Sequence, residues 1–140
     1  MKIWIPQKRA TLLIPSGPRD SPDKCHLFIM MTDPFDNGTG VFQVLLIPIC
    51  STRPKHDPSC ELFAGSSNHP FITHDSFVEY ALARIMTKES LQKGYDSSIF
   101  IPKSPLSSKI FQKVQQGLES TRRIQPMFRD FYYNFLRKIP

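Results

Sequence analysis

The sequence has little of what marks secreted, membrane-spanning or repetitive proteins. Its three cysteines, Cys25, Cys50 and Cys60, are an odd number without paired spacing, which argues against a secreted disulfide framework. No apolar run approaches the ~20 residues of a membrane-spanning helix, and there are no repeats or low-complexity segments. Residues 1–6 are too short and too soon interrupted for a signal peptide. We therefore expect a cytoplasmic protein with no membrane partner, whose cysteines are buried thiols.

The length and charge of the chain are more informative. Its 140 residues match one domain, residues 1–140, with a core of its own. Thirteen prolines predict short elements. The net charge of +6 is uneven, because residues 1–100 are balanced, whereas residues 101–140 carry eight Lys or Arg against two acidic residues. A basic C-terminal third is typical of a surface that faces phosphates, or of a solvated helix face.

Apolar segments in the first half predict strands. Residues 10–15 form a short one, and residues 26–32 and 41–50 are continuous apolar runs separated by a turn at residues 36–40. We expect the two longer strands to pair and to be buried on both faces at their centre. Two shorter segments are candidates for additional strands, residues 60–63 and 71–72.

The second half predicts helices. Ser76 and Glu79 have the spacing of a capping box, in which the Ser hydroxyl accepts from a backbone amide and the Glu reaches back. The apolar spacing behind them predicts a helix over residues 76–86. A second helix is expected to start with Ser104 as its cap and Pro105 as its first residue, and to break near Gly117. Its apolar face is marked by Leu106, Ile110, Val114 and Leu118, and a third helix begins at Pro126.

This order of elements predicts the fold class. A β-rich part, residues 1–75, precedes a helical part, residues 76–140. Strands grouped before helices are typical of an α+β domain with an antiparallel sheet.

Four short segments between residues 17 and 52 carry a resemblance. They are Gly17-Pro18-Arg19, the apolar run 27–32, Phe35-Asp36-Asn37, and Ile47-Pro48-Ile49-Cys50-Ser51-Thr52. Together they resemble the core of PemK/MazF-type proteins, which are small β-barrels, many of them ribonuclease toxins of toxin–antitoxin pairs. The resemblance implies a small antiparallel barrel-like sheet, followed here by two or three helices. It also implies RNA as the substrate, an antitoxin-like protein partner and a homodimer.

The resemblance also implies roles for residues. Arg19 or Lys24 would stabilise charge on a phosphate, and Ser51 or Thr52 at a strand end would position it. The chain departs from the family in having Lys24-Cys25-His26 where an Arg pair usually precedes the apolar strand. The histidine-rich segment 56–74 and the basic C-terminal third are also additions to the family core, so the fold can carry over without the catalytic set.

The histidines are the best candidates for acid–base chemistry, since imidazole transfers protons near neutral pH. A metal-independent ribonuclease needs a base, an acid and a cation, and no cofactor. His26, His69 and His74 are the candidates for base and acid. The basic residues expected to contact RNA, besides Arg19, are Lys24, Arg53, Lys113, Arg122 and Arg123.

Structural interpretations compete with each of these assignments. Ser51 and Thr52 can simply close a strand, and His69 can be a turn residue bonded to the backbone. Cys60, His69 and His74 are zinc ligand types, but their spacing is not that of structural zinc sites. Cys50 or Cys60 activated by a histidine would be a nucleophile.

The sequence thus predicts an RNA-binding protein, with ribonuclease activity of the toxin type as the enzymatic hypothesis. The alternative is a non-catalytic protein-interaction module with structural histidines. In that case the C-terminal helix docks on a partner through its aromatic side chains, Phe128, Phe131, Tyr132, Tyr133 and Phe135.

Overall fold

The computed structural model describes residues 3–17, 19–21, 23–65 and 69–138. Within these ranges it contains an antiparallel sheet of eight strands and three α-helices. The strands are β1 (Thr11–Pro15), β2 (Cys25–Met30), β3 (Phe35–Asp36), β4 (Phe42–Ser51), β5 (Glu61–Leu62), β6 (Ser76–Val78), β7 (Arg84–Thr87) and β8 (Ile101–Lys103). The helices are α1 (Lys88–Asp96), α2 (Ser108–Ser120) and α3 (Pro126–Lys138).

The long strand β4 organises the sheet. Its neighbour on one side is β2, and the sheet continues through β1 to β8. On the other side β4 pairs with β6 near its C-terminal end and with β7 near its N-terminal end, while β3 also pairs with β4. The sheet order β5-β6-β4-β2-β1-β8 is open. The α+β class with an antiparallel sheet is therefore confirmed.

Alternate residues of the central strands serve two cores, because successive side chains of a strand point to opposite faces. One face, with Leu27, Ile29 and Ile47, packs against α2 and α3 in the larger apolar cluster. The opposite face, with Phe28 and Leu46, packs in a smaller cluster that includes Leu91 of α1. All of β4 from residue 44 to residue 50 is buried, so the predicted burial on both faces is confirmed.

Proline interrupts the ladder beside β4. The carbonyl of Pro48 accepts a hydrogen bond from the Glu79 amide at 2.9 Å, so the polar groups of Pro48 point toward β6 and β7. Proline has no amide hydrogen to donate on that side. There the chain leaves the ladder in a 3-10 turn, Tyr80–Leu82, and rejoins β4 where Arg84 pairs with Leu46.

The predicted helix over residues 76–86 is wrong. Residues 76–78 form β6, paired with both β4 and β5, and residues 84–87 form β7. The Ser76 hydroxyl donates to the His74 carbonyl at 2.9 Å instead of capping a helix. Phe77 and Val78 favour strands, and two neighbouring strands give this segment ladder partners that override the local capping signal.

Other predictions are confirmed, corrected or extended. The expected strands near residues 10–15, 26–32, 41–50 and 60–63 exist as β1, β2, β4 and β5, and the two later helices exist as α2 and α3. The predicted start and break of the second helix are wrong, because the Ser107 hydroxyl accepts from the Ile110 amide as the cap and the helix continues through Gly117 to Ser120. Residues 71–72 are not a strand. The sequence did not predict α1, which buries only Leu91 and Gly94 and so has a weak apolar pattern. It also did not predict the edge strand β8, because Pro102 is compatible with a strand only at the edge of a sheet.

The aromatic residues of α3 point inward. Phe131, Tyr132 and Phe135 belong to the larger cluster, and Phe128 and Tyr133 pack against it half-buried. Phe131 contacts Phe35 with ring centroids 4.6 Å apart. The side chains assigned to docking in the alternative hypothesis are thus mainly core residues. Within the described ranges, no helix has the length and apolarity needed to cross a membrane.

Gly117 is needed for the contact between α2 and the 3-10 turn. A Cβ there would clash with Tyr80 Oη and lie 3.0 Å from Cys60 Cβ. We expect Gly117→Ala to lower the free energy of unfolding by about 1–3 kcal/mol through overpacking, although alanine favours a helix by ~1 kcal/mol. Urea denaturation measures this, with the exposed neighbour Gln116→Ala as the control. A Gly117→Ala variant as stable as the control would contradict the packing.

Candidate functional site

A cleft of about 350 Å³ lies where the N-terminal end of β2 meets the C-terminal end of β4. Phe71 and Ile72 close it from the loop before β6. Five of the predicted site residues line this cleft, although they come from three separate segments of the chain. They are Lys24, His26, Ser51, Arg53 and His74.

Ser51 and His74 form a hydrogen-bonded pair at the mouth of the cleft. Ser51 Oγ lies 2.7 Å from His74 Nε2, and both residues are exposed. The backbone brings them together because Ser51, the last residue of β4, pairs with Ser76 of β6, two residues after His74. The nearest polar neighbour of His74 Nδ1 is Thr73 Oγ1 at 3.5 Å, too far to hold the ring firmly.

His26 is held by the first turn residue after β1. Its Nδ1 lies 2.7 Å from Ser16 Oγ, and the Ser16 hydroxyl donates to the Ile14 carbonyl at 3.1 Å. A hydroxyl has one proton, so with the Ser16 proton on the Ile14 carbonyl, Ser16 accepts from Nδ1–H and the assigned tautomer of His26 has its lone pair on Nε2. Burial lowers the pKa of His26 below its ordinary value, and the nearby Lys24 and Arg84 lower it further. His26 is therefore neutral at pH 7 and suited to accept a proton.

Arg53 is fixed over the sheet end by a buried acid. Its Nη2 donates to Glu79 Oε2 at 2.5 Å, and its guanidinium lies 4.9 Å from the Phe77 ring centroid. Glu79 is 3% exposed, and its Oε1 has no hydrogen-bond partner among the described residues. Arg53 therefore neutralises a buried carboxylate, while half of its side chain, 52%, stays exposed toward the cleft.

Cys50 and Cys60 are buried, whereas Cys25 is exposed, so the expectation of buried thiols is wrong for Cys25. Burial raises the pKa of Cys50, and it raises the pKa of Cys60 to about 11. Both are therefore thiols at neutral pH, whereas the thiolate is the nucleophilic form. This speaks against the cysteine-nucleophile alternative.

His69 lies away from the cleft and ties two loops together. Its Nε2 donates to the Ser104 carbonyl at 2.6 Å, and its Nδ1 accepts from the Phe71 amide at 3.0 Å. The ring is 6% exposed. Both nitrogens are thus bound to backbone, as the structural interpretation of this histidine expects, although the same bonds hold Phe71 at the cleft wall.

The remaining predicted residues lie outside the cleft lining. Arg19 is exposed on the loop between β1 and β2, and Thr52 follows β4. Lys113 of α2 donates to the Glu61 carbonyl at 2.5 Å. Arg122 and Arg123 follow α2, where Arg123 donates to the Lys55 carbonyl at 2.9 Å. Of the basic C-terminal third, Lys113, Arg122 and Arg123 are thus absent from the cleft lining, whereas Lys103 Nζ lies 5.6 Å from the ring centroid of Phe71 at the cleft wall.

The described part of the chain holds no group of three His, Cys, Asp or Glu side chains that could bind a metal ion. Cys60, His69 and His74 therefore do not come together in the group that the zinc alternative requires. Sequence reasoning missed two positioning residues, Ser16 and Glu79. Ser16 gives no signal in a loop, and Glu79 had been assigned to a helix cap.

His69 and His74 should contribute differently to stability, because His69 is buried and His74 is exposed. We expect His69→Ala to lower the free energy of unfolding by about 1–3 kcal/mol, since the Phe71 amide loses its acceptor and the Ser104 carbonyl loses a donor. His74→Ala removes an exposed ring and should change stability by less than about 0.5 kcal/mol. Urea denaturation of both variants tests this, and equal small effects would show that the His69 bonds do not stabilise the fold.

Comparisons with known proteins do not assign the chain to a family. No protein-family model matches it, and no curated protein matches it. The function of the cleft therefore has to be argued from its own residues.

Proposed function

We propose that the protein binds RNA in this cleft and cleaves it by metal-independent transesterification. The observation that carries the proposal is that two imidazoles, two cations and a hydroxyl line one cleft, namely His26, His74, Lys24, Arg53 and Ser51. These are the base, acid and charge-stabilising groups that such a reaction needs. No described residue of the cleft lining has a carboxylate side chain. Carboxylates are the protein ligands that Mg²⁺ prefers.

The two histidines have different roles in this proposal. His26 Nε2 takes the proton of the ribose 2′-hydroxyl, and the 2′-oxygen forms a bond to phosphorus. The bond from phosphorus to the 5′-oxygen breaks, and protonated His74 gives its proton to that oxygen. The products are a 2′,3′-cyclic phosphate and a 5′-hydroxyl end. The lowered pKa of His26 supports its assignment as the base.

The cations and one aromatic ring bind the substrate. Lys24 and Arg53 stabilise the negative charge that grows on the phosphoryl oxygens. The Ser51 hydroxyl donates to a phosphate oxygen. Phe71 is 44% exposed at the cleft wall and offers a face on which a base stacks, as aromatic side chains do in single-strand binding.

The resemblance to PemK/MazF-type proteins extends the proposal. The two apolar segments that carry this resemblance correspond to β2 and β4 of the protein, and Ser51, which lies in the second segment, lines the cleft. A relationship to these barrel toxins would add an antitoxin-like protein partner and a homodimer. Co-purification with a neighbouring gene product and light scattering test these two additions separately.

Substitution of either cleft histidine should abolish most of the activity without unfolding the protein. We expect His26→Ala and His74→Ala each to reduce the cleavage rate of a synthetic RNA by about 10²–10⁴-fold, the usual contribution of a general acid or base. The control is Gln116→Ala, an exposed residue of α2 that lies outside the cleft lining. The assay contains EDTA, and circular dichroism checks the fold of each variant.

Two results would contradict this assignment. Folded histidine variants that cleave as fast as wild type would remove the imidazoles from the reaction. A loss of the same size in Gln116→Ala would point to a general effect on the protein.

The pH dependence of cleavage should report His26. Its pKa lies below the ordinary 6.5, and only the neutral ring acts as a base, so kcat/KM should rise with pH along a limb centred below 6.5. Residual activity of His26→Ala should lack that limb. Initial rates between pH 4 and pH 9 test this, and a rise centred above 6.5 in wild type would contradict the base assignment.

A further inference from the structure

A second cleft, of about 310 Å³, opens on the other side of His26. Its floor is Phe28 and Pro48 on the sheet face opposite the larger core. One wall is the 3-10 turn and the residue after it, which leave β4 because Pro48 cannot donate to the ladder. Gln125 and Phe128 also line this cleft.

Arg84 is the charged residue of this second cleft. It is the first residue of β7 and reaches across β4, so that its guanidinium lies 4.5 Å from the Phe28 ring centroid on β2. Stacking on an aromatic face holds a guanidinium flat and leaves its edge donors free to bind an anion. No carboxylate and no hydrogen-bond acceptor within the described residues pairs with the Arg84 side chain. Arg53, in contrast, is neutralised by Glu79.

The second cleft is continuous with the first through His26. This residue lines both, and Arg84 is close enough to contribute to the lowering of its pKa. The lining of the second cleft, like that of the first, contains no Asp or Glu in the part of the chain that the structure describes. A strand that passes His26 therefore meets positive charge on both sides.

We propose that the second cleft binds a neighbouring phosphate of the same RNA strand, with Arg84 as its ligand and Gln125 and Phe128 beside the adjoining nucleotide. This inference rests on the proposed function. It implies that the substrate is a single strand of several nucleotides, because a dinucleotide has one phosphate and that phosphate occupies the first cleft. Arg84 is then a substrate-binding residue and takes no part in proton transfer.

The test compares short and long ligands that cannot be cleaved. Fluorescence anisotropy gives the Kd of a labelled 2′-O-methyl octanucleotide of randomised sequence, and competition gives the Kd of a 2′-O-methyl dinucleotide. Arg84→Met keeps an unbranched side chain that reaches as far as the arginine Nε, and it removes the guanidinium and its charge. We expect it to weaken octanucleotide binding on the order of tenfold, to reduce the slope of log K against log salt by ~0.7, and to leave dinucleotide binding unchanged.

Two control variants separate the site from net charge and from folding. Lys88→Met removes one exposed positive charge outside both clefts and should preserve octanucleotide affinity within about twofold of wild type. Arg84→Lys keeps the charge, so its salt slope should equal that of wild type. Where Arg84→Met does not fold, wild-type protein is tested against octanucleotides carrying one neutral methylphosphonate, and at least two neighbouring phosphates should be sensitive.

The outcomes distinguish this inference from the proposed function. Wild-type protein that binds no oligonucleotide overturns both. Wild-type binding that Arg84→Met does not change, or a single sensitive phosphate in the methylphosphonate series, overturns the second site alone. Equal weakening of the dinucleotide and the octanucleotide would assign Arg84 to the first phosphate and also overturn the inference.

Discussion

The burial of β4 on both faces is the constraint on which the rest of the structure depends. Strand β4 is the shared neighbour of β2, β3, β6 and β7, and its even- and odd-numbered residues enter two different cores. A shift of one residue in its register would exchange the two faces and place Ser51 and Cys50 on the wrong sides. The pairing of this one strand therefore sets the position of Ser51 and, through β6, that of His74.

Pro48 determines where the neighbouring chain leaves β4. Since Pro48 cannot donate toward β6 and β7, the chain leaves the sheet there and returns at Arg84. The excursion sends Tyr80 into the larger core, where its hydroxyl donates to the Val114 carbonyl at 2.7 Å. It also leaves space for the second cleft, which Arg84 lines. The position of a single missing amide thus coincides with the break between β6, which Glu79 follows, and β7, which begins at Arg84.

The two arginines of these clefts show how similar settings give different electrostatics. Both are stacked on a phenylalanine of the same sheet, Arg53 on Phe77 and Arg84 on Phe28. Arg53 offsets the charge of buried Glu79, so removing it would leave an uncompensated carboxylate in the protein. Arg84 has no such partner in the described structure, and its charge is available to a ligand. For this reason Arg84 is the cleaner position at which to change charge.

Hydrophobic runs predicted the central strands because β4 and β2 are apolar on both faces, a pattern that turns do not imitate. The capping box at Ser76 misled, since the same residues satisfy a helix start and a strand between two neighbours. Only the long-range pairing of Ser76 with Ser51 decides between them. That pairing also brings His74 to Ser51. The resemblance to a known family suggested Ser51 as a site residue, but no local sequence pattern could show that His74 lies beside it. Arg84 was hidden for a related reason, because it reaches Phe28 across an intervening strand.

The most direct test of the central claim is to identify the product ends of a cleaved RNA by mass spectrometry. The substrate is an oligonucleotide with one ribose among deoxyriboses, incubated with the protein in EDTA. Transesterification in the cleft predicts a 2′,3′-cyclic phosphate on the ribose and a 5′-hydroxyl on the next nucleotide, with no cleavage of the all-deoxy strand. Ends carrying a 5′-phosphate and a 3′-hydroxyl, or an intact oligonucleotide across randomised sequences around the ribose, would contradict the account.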